Sequence, residues 1–295
     1  MPRSILGISL SFLAVVFGVL TGVLVKQLGA EINIVTVLFY RFLFSLPILF
    51  LFAICVRGQQ FLHINQRRIM LLRVVFGCFG ITFWFLSIRH MPLGMATALF
   101  QSSVIFITLL SPIFLGERVG LYRWSAVLTG LSGVLIITDP LSGDMSWYFL
   151  YGIGAALSGA VLSLLLRQLG KRDAPASVAI WYNIFGFGFL SVIVLILPEQ
   201  LYSISRAVMI DLILLGVIGA GLQIVLTTAY SYSDAVVVAS MRYLQMPVSG
   251  AVGYFVFAEV MSHGEIIGAL IIIGSCLVIA WRELVRSREV NQPGI

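Results

Sequence analysis

Long apolar runs joined by short polar connections extend along the whole chain. A helix that crosses a lipid bilayer needs about 20 predominantly apolar residues. Ten runs have this character, and they cover residues 5–25, 34–56, 69–88, 94–115, 121–138, 148–168, 177–198, 209–230, 235–257 and 263–281. The longest polar connection, Arg57 to Arg68, is too short to fold alone. The pattern therefore predicts an all-α membrane protein with ten transmembrane helices and no soluble domain.

Composition agrees with this pattern. Of the 295 residues, 60% are hydrophobic and 10% are charged, whereas a soluble domain carries about 25% charged residues. The three cysteines, Cys55, Cys78 and Cys276, are unclustered and lie inside apolar runs, so they indicate neither a disulfide framework nor a metal site. We expect no cofactor.

Basic residues are distributed unevenly between the two sides of the predicted bundle. Thirteen of the 18 Lys and Arg residues lie at the termini and in alternate connections, three lie on the opposite side, and two lie within runs. Cytoplasmic loops of membrane proteins are enriched in these residues, so we expect an inner-membrane protein with both termini in the cytoplasm. The same bias accounts for the net charge of +6, and we expect no nucleic-acid partner. The expected partners are a small-molecule substrate and the lipid bilayer, and a homodimer is left open.

The chain contains an internal repeat at an offset of 142 residues. At this offset Phe114-Leu115-Gly116-Glu117 aligns with Val256-Phe257-Ala258-Glu259, and each Glu ends one apolar run and begins a short hinge into the next. The pattern predicts two five-helix repeats, residues 1–143 and 144–295. An odd number of spans inverts the second repeat, as in many secondary transporters, whose substrate site lies near the midplane between the repeats.

Motifs along the chain resemble the EamA family of the drug/metabolite transporter superfamily. In the first half they are Lys26-Gln27-Leu28, Phe39-Tyr40-Arg41-Phe42, Ala96-Thr97-Ala98-Leu99 and Ser111-Pro112-Ile113-Phe114-Leu115-Gly116-Glu117. In the second half they are Leu215-Gly216 to Gln223, Thr228-Ala229-Tyr230, and Met241-Arg242-Tyr243-Leu244-Gln245 through Gly253 to Ala258-Glu259. One departure is Pro112, because the family usually has a proline near Val104, which leaves the position of the kink open.

The resemblance implies ten helices, cytoplasmic termini and a central substrate cavity between the repeats. It also implies a carrier that moves a small polar or amphipathic metabolite across the inner membrane by alternating access, with efflux favoured by analogy with the family. The segment around Arg242-Tyr243 is similar to members that carry S-adenosylmethionine or riboflavin. The alternative is therefore uptake of such a nucleoside-like or flavin-like metabolite.

Two arginines lie inside apolar runs, where a charge is costly. Arg41 lies about 10 Å from the outer end of the second run. It is expected either to contact an anionic substrate group or, the interpretation favoured here, to tie helices through backbone carbonyls. Arg242 lies at a similar depth from the cytoplasmic end of the ninth run, and a substrate or gating contact competes evenly with snorkelling toward the interface.

Buried amides and deep aromatic residues are the remaining candidates for a cavity wall. An amide that faces lipid is costly, so it is expected to face the bundle interior, where substrate contact and helix bonding are equal alternatives. These further candidates for substrate binding are Trp84, Gln101, Trp181, Tyr182, Asn183, Gln223, Tyr230, Tyr243 and Gln245. Core packing remains the favoured interpretation for any single aromatic residue.

The sequence lacks the residues that enzymatic chemistry would need. An intramembrane enzyme would need a catalytic dyad at membrane depth, and none is found. No apolar run has Asp or Glu near its centre, so a membrane-embedded carboxylate for protons is not evident. Gly152-Ile153-Gly154 lacks the third glycine of a phosphate-binding loop, which disfavours ATP-driven transport by this chain alone. The histidines are isolated, without metal-ligand spacing. Glu117 and Glu259 are expected to be structural, as acceptors of backbone N–H groups where the next helix begins. We expect no enzyme and no metal.

Overall fold

The computed structural model describes residues 3–29, 32–115, 121–138, 147–170, 172–198, 204–232 and 242–291. These residues form helices and connections, and no β-strand occurs among them. The helices are α1 Arg3–Gln27, α2 Ile34–Arg57, α3 Arg67–His90, α4 Leu93–Gln101, α5 Ser103–Leu115, α6 Leu121–Thr138, α7 Phe149–Leu169, α8 Pro175–Ile196, α9 Arg206–Tyr232, α10 Gln245–Phe257 and α11 His263–Asn291, with a short 3₁₀ turn at Gly58–Gln60. The predicted all-α class is confirmed.

Each of the ten predicted apolar runs contains helix. Seven helical segments of the described residues are long and apolar enough to cross a bilayer, by length and composition. Two shorter apolar helices, Trp124–Ile137 and His263–Ser275, lie in the fifth and tenth runs. Ten membrane crossings therefore stay a prediction, while a membrane protein with many apolar helices is established.

The fourth run, predicted as one helix, is broken at Ser102. The Ser102 N–H is shared between the Ala98 and Leu99 carbonyls, and its hydroxyl donates to the Leu99 carbonyl at 2.6 Å. Ile105 N–H then bonds to the Ser102 carbonyl over three residues rather than four. A serine side chain that competes for backbone partners favours such a break. It lies ten residues before Pro112, which is inside α5.

The ninth run has a similar turn at the equivalent position. Tyr243 and Leu244 form a turn immediately before α10. Leu244 is the residue that aligns with Ser102 at the 142-residue offset of the repeat. The Gln101 side-chain amide donates to the Arg242 carbonyl at 2.5 Å and connects the two turns. Residues 235–241 of this run lie outside the described part of the chain.

Helices of the two halves pack against each other in pairs. The closest pairs are α1 with α9, α2 with α8 and α9, α3 with α7, α4 with α10, and α6 with α11. Gly133 and Gly268 allow the last pair to approach, because a Cβ atom on either would lie 2.7 Å from the other's carbonyl oxygen. The halves are thus interleaved, and the buried core between them includes Phe42, Phe85 and Leu215.

Candidate functional site

A cavity of about 160 Å³ lies between helices of both halves. Its described wall comes from α1 to α4 of the first half and from α7 to α10 of the second, with Arg242 just before α10. Six of the eleven residues proposed above as candidates for the cavity wall or for substrate binding lie in this wall: Arg41, Trp84, Tyr182, Gln223, Arg242 and Gln245. Pockets that enclose a drug-sized ligand measure about 300–1,000 Å³, so a ligand of that size requires the halves to move apart.

Two arginines are held against aromatic rings at one part of the wall. Arg73 of α3 places its guanidinium carbon 3.9 Å from the ring centre of Tyr182, and Arg41 of α2 lies 4.7 Å from that of Phe42. The two rings meet edge to face with centroids 5.3 Å apart. We call Arg41, Phe42, Arg73 and Tyr182 the arginine cluster. Cation–π contacts orient the two guanidinium groups without neutralising them.

The arginine cluster carries buried charge without a carboxylate. Arg41 is 5% exposed and Arg73 is 2% exposed. The Nε and Nη1 atoms of both lack a hydrogen-bond partner in the described part of the protein. No acidic residue is among the described residues that line the cavity, and neither arginine forms an ion pair with a described carboxylate. The charge of the two guanidinium groups is therefore not balanced by a carboxylate in the described part of the protein.

Two glycines leave room for the arginine cluster. A Cβ atom at Gly77 would lie 2.7 Å from Arg73 Nη1 and 2.8 Å from Tyr182 Cε2. A Cβ atom at Gly219 of α9 would lie 3.3 Å from Arg41 Nε. The phenol hydroxyl of Tyr182 donates to the Gly77 carbonyl at 3.2 Å, which fixes the ring against α3.

A second part of the wall is aromatic. The rings of Trp84 and Phe100 lie with centroids 4.8 Å apart, and the Arg242 guanidinium carbon lies 5.2 Å from the Phe100 centroid. Gln245 lies across from Gly18, where a Cβ atom would be 3.1 Å from its amide nitrogen. The two rings are inclined at 40° to each other. Aromatic rings next to a cation and an amide suit a planar ring with polar substituents.

The other predicted residues lie away from this wall. Asn183 is buried, accepts from Ser45 and donates to the Ala179 carbonyl, so it joins α8 to α2. Gln101 and Tyr243 are buried near the two turns. Trp181 donates to the Leu62 carbonyl and lines a separate groove at the end of the bundle. The side chain of Tyr230 lies outside the described part.

Sequence reasoning missed Arg73 as a cavity residue. It lies six residues, or about 9 Å, inside α3, which is nearly the depth of Arg41 in α2. Arg73 is one of the thirteen basic residues assigned above to the termini and alternate connections, because a long side chain near a helix end usually reaches the interface. Its depth in the run was the signal that could have identified it.

An ion pair joins the two halves at one end of the bundle. Lys26 of α1 pairs with Glu259 of the α10–α11 hinge, and its ammonium also donates to the Met91 carbonyl at 2.6 Å. Glu259 Oε2 accepts the N–H of Leu93, the first residue of α4, at 2.8 Å. Glu259 thus accepts a backbone N–H at the start of a helix, as predicted. The helix is α4, however, and not α11, which follows Glu259 in the chain. We call Lys26, Met91, Leu93 and Glu259 the Lys26 latch; Glu117 lies outside the described residues.

Polar groups also join the halves at the opposite end. The Asp173 carboxylate accepts the backbone N–H groups of Asn65 and Gln66 at 2.6 and 3.3 Å, and the Asn65 amide donates to the Arg172 carbonyl at 2.9 Å. We call these contacts the Asp173 bridge. No group of three or more His, Cys, Asp or Glu residues suited to a metal ion occurs in the described ranges.

The EamA-like transporter family matches this chain twice, over residues 5–139 and 146–281. The chain belongs to this family. The family boundary falls within the connection predicted to separate the repeats, and each match contains five of the predicted runs.

Individual relatives are also transporters. The chain is 31% identical to a riboflavin transporter of Vibrio cholerae over 78% of this chain and 77% of the relative. It is 28% identical to an S-adenosylmethionine uptake transporter of Rickettsia bellii over 94% of both chains. It is 27% identical to the pseudopaline exporter CntI of Pseudomonas aeruginosa over 93% and 95%. A solved crystal structure aligns with a TM-score of 0.65 over 97% of this chain and 99% of that chain, at 14% identity, and shows the fold.

Proposed function

We propose that this EamA-family protein is a carrier that moves a small polar or amphipathic metabolite across the inner membrane by alternating access. The observation that carries the proposal is a cavity walled by both halves and containing buried, unpaired arginine nitrogens. A structural subunit has no use for such charge in a membrane interior, where it is costly. Small-molecule transport is the activity for which the curated relatives are named.

The two halves are proposed to be inverted repeats, each with five spans. When each helix is replaced by its counterpart in the other half, the α1–α9 pair becomes the α3–α7 pair. The α2–α8 pair and the α6–α11 pair each stay the same. The turns at Ser102 and Leu244 obey the same exchange. This pairing supports an axis of approximate symmetry through the cavity, about which one half can rock against the other.

Orientation follows from the basic residues. Placing both termini in the cytoplasm puts the Asp173 bridge on the cytoplasmic side and the Lys26 latch on the external side. The Lys26 latch then closes the external end of the cavity, because it ties α1 and the start of α4 to the α10–α11 hinge. Release of the latch is the proposed step that opens this end.

The proposed substrate is an organic metabolite, and two directions are supported by different relatives. Efflux is the direction implied by the family resemblance and is shared by the pseudopaline exporter. Uptake of a nucleoside-like or flavin-like metabolite is the second candidate, supported by the S-adenosylmethionine uptake transporter and the riboflavin transporter.

Counterflow in proteoliposomes tests the function. Purified protein is reconstituted in vesicles preloaded with an unlabelled metabolite, and entry of the labelled compound is followed for riboflavin and S-adenosylmethionine, and then for a wider screen of amino acids and organic acids. We expect saturable counterflow of at least one compound. A parallel series with an imposed pH gradient reports proton coupling. Entry no faster than in protein-free vesicles for every compound would contradict the proposal.

A further inference from the structure

We propose that the arginine cluster binds an oxyanion, a carboxylate or phosphate group, of the transported metabolite, while the Trp84–Phe100 surface takes a planar ring of the same molecule. This inference rests on the proposed function only in taking the bound molecule to be the transported metabolite. The binding of an oxyanion by Arg41 and Arg73 is a separate property, which can be measured without transport.

The first argument is the number of free donors. Arg41 and Arg73 line the cavity, and each has a buried Nε and Nη1 with no described hydrogen-bond partner. Both side chains are more than nine-tenths buried. Guanidinium groups cannot shed their protons, and their planar donor fork matches the two oxygens of a carboxylate or phosphate. A buried, unsatisfied cation in the absence of its ligand is therefore expected to gain strongly from an oxyanion.

The second argument is the arrangement of the surrounding groups. Two arginines line one cavity whose described lining has no acidic residue, and their charges repel each other. A bound anion would relieve this repulsion. Cation–π contacts with Phe42 and Tyr182 hold the two guanidinium groups in place. Gly77 and Gly219 leave the room that the guanidinium nitrogens occupy.

A helix-tying role makes the opposite prediction about stability. An arginine that bonds the carbonyls of a neighbouring helix stabilises the fold, and its removal leaves those carbonyls unpaired. An arginine kept for a ligand is costly in the empty protein, and its removal is neutral or stabilising. The sign of the change in the unfolding midpoint therefore separates the two roles.

The aromatic surface restricts the class of ligand further. Trp84 and Phe100 line the same cavity as the arginine cluster, and Arg242 lies against Phe100 at its polar edge. Organic anions with a heteroaromatic ring satisfy both parts of the wall. Inorganic anions satisfy only the arginine cluster, which makes phosphate a suitable minimal probe of that part.

The test follows thermal unfolding of the full-length purified protein in detergent while sodium phosphate is titrated against sodium chloride of equal ionic strength. We expect phosphate to raise the midpoint of the wild type saturably and chloride to have no such effect. Arg73→Gln and Arg41→Gln should weaken phosphate binding by about 10-fold to 100-fold while leaving the phosphate-free midpoint equal or higher. Arg68→Gln, an exposed arginine of the same helix, is the matched control and should respond as wild type does.

Arg73→Lys keeps the proposal testable if a glutamine variant fails to fold. Lysine retains the charge but loses the planar fork, so phosphate should still stabilise this variant, at a weaker affinity than wild type. Equal stabilisation of wild type, Arg73→Gln and Arg73→Lys would overturn the proposal, as would a wild-type response no larger than that to chloride.

Three further outcomes identify the source of the anion and distinguish failure of the oxyanion site from failure of the proposed function. Stabilisation by phosphatidylglycerol micelles but not by free phosphate would assign the arginines to a lipid headgroup and overturn the proposal. Saturable counterflow of a metabolite by a protein that ignores phosphate would refute the oxyanion site and leave the carrier function intact. Phosphate binding without counterflow of any compound would refute the carrier function and leave the oxyanion site intact.

Discussion

Replacing Glu259 by Gln removes the charge that pairs with Lys26 but keeps a side-chain oxygen for the Leu93 N–H. An exposed ion pair contributes about 0–1 kcal/mol, whereas loss of one partner from a fully buried pair costs about 3–5 kcal/mol. The Lys26 and Glu259 side chains are 16% and 14% exposed, so the Lys26 latch lies between these limits. We take about 2 kcal/mol, which corresponds to a shift of about 30-fold in an equilibrium.

The shift should appear as increased access to the cavity from the Lys26 end. Ser163 lines the cavity and is replaced by Cys in a background free of Cys55, Cys78 and Cys276. Labelling by a membrane-impermeant maleimide is then timed in intact cells and in inverted vesicles. We expect Glu259→Gln to raise the labelling rate from the external side by about 30-fold.

Two controls define the result that would refute this reasoning. Glu265→Gln changes a carboxylate whose described hydrogen bond is from the Ser262 N–H, next to the start of α11, and it should leave the rate unchanged. The exchange of both charges, Lys26→Glu with Glu259→Lys, restores an ion pair but loses the hydrogen bonds to the Leu93 N–H and the Met91 carbonyl, so it should return the rate only in part. An unchanged rate in Glu259→Gln would mean that the ion pair does not hold this end closed.

Three further predictions address the cavity and the topology. Gly77→Ala should lower transport by about tenfold or more, because overpacking against Tyr182 costs about 1–3 kcal/mol. Gly188→Ala is the control, since no neighbouring atom lies within 4 Å of its new Cβ, and it should transport as wild type does. Counterflow measures both variants. Arg242→Ala should insert and fold normally but lose affinity or turnover, and Arg242→Lys should restore only part; an alanine variant with wild-type transport would reduce this residue to an interfacial anchor. Cysteine labelling should place positions near Gln66 and Asp173 on the cytoplasmic side and positions near Ser142 on the external side. Labelling of Ser142 only from the cytoplasm would exclude the ten-span inverted-repeat arrangement.

Sequence patterns predicted the helices well because apolar length decides what can cross a bilayer. Run lengths and the positions of polar connections depend on local composition alone, and the described helices follow them. The break at Ser102 was not predicted, because it results from one hydroxyl competing for backbone partners inside an otherwise apolar run. A composition window averages over such an event.

The candidate site was predicted only in part because it depends on contacts between distant helices. Arg41, Trp84 and Arg242 were found from depth within their runs, and they line the cavity. Arg73 was missed because its burial results from Tyr182, which lies 109 positions later in the chain and covers the guanidinium group. Whether an arginine near a helix end reaches water or a partner ring is decided by the neighbouring helix, which periodicity does not reveal.

The components of the Lys26 latch occur twice in the sequence. Lys26-Gln27-Leu28-Gly29 is followed 141 residues later by Arg167-Gln168-Leu169-Gly170, and Glu259 is preceded by Glu117 at an offset of 142. The Arg167 side chain and Glu117 lie outside the described residues. From this sequence repeat, the proposed inversion predicts a second basic and acidic pair at the opposite end of the bundle. A carrier that exchanges one such ion pair for an equivalent one has two end states of similar energy, so substrate gradients rather than a built-in preference would set the direction of net flow.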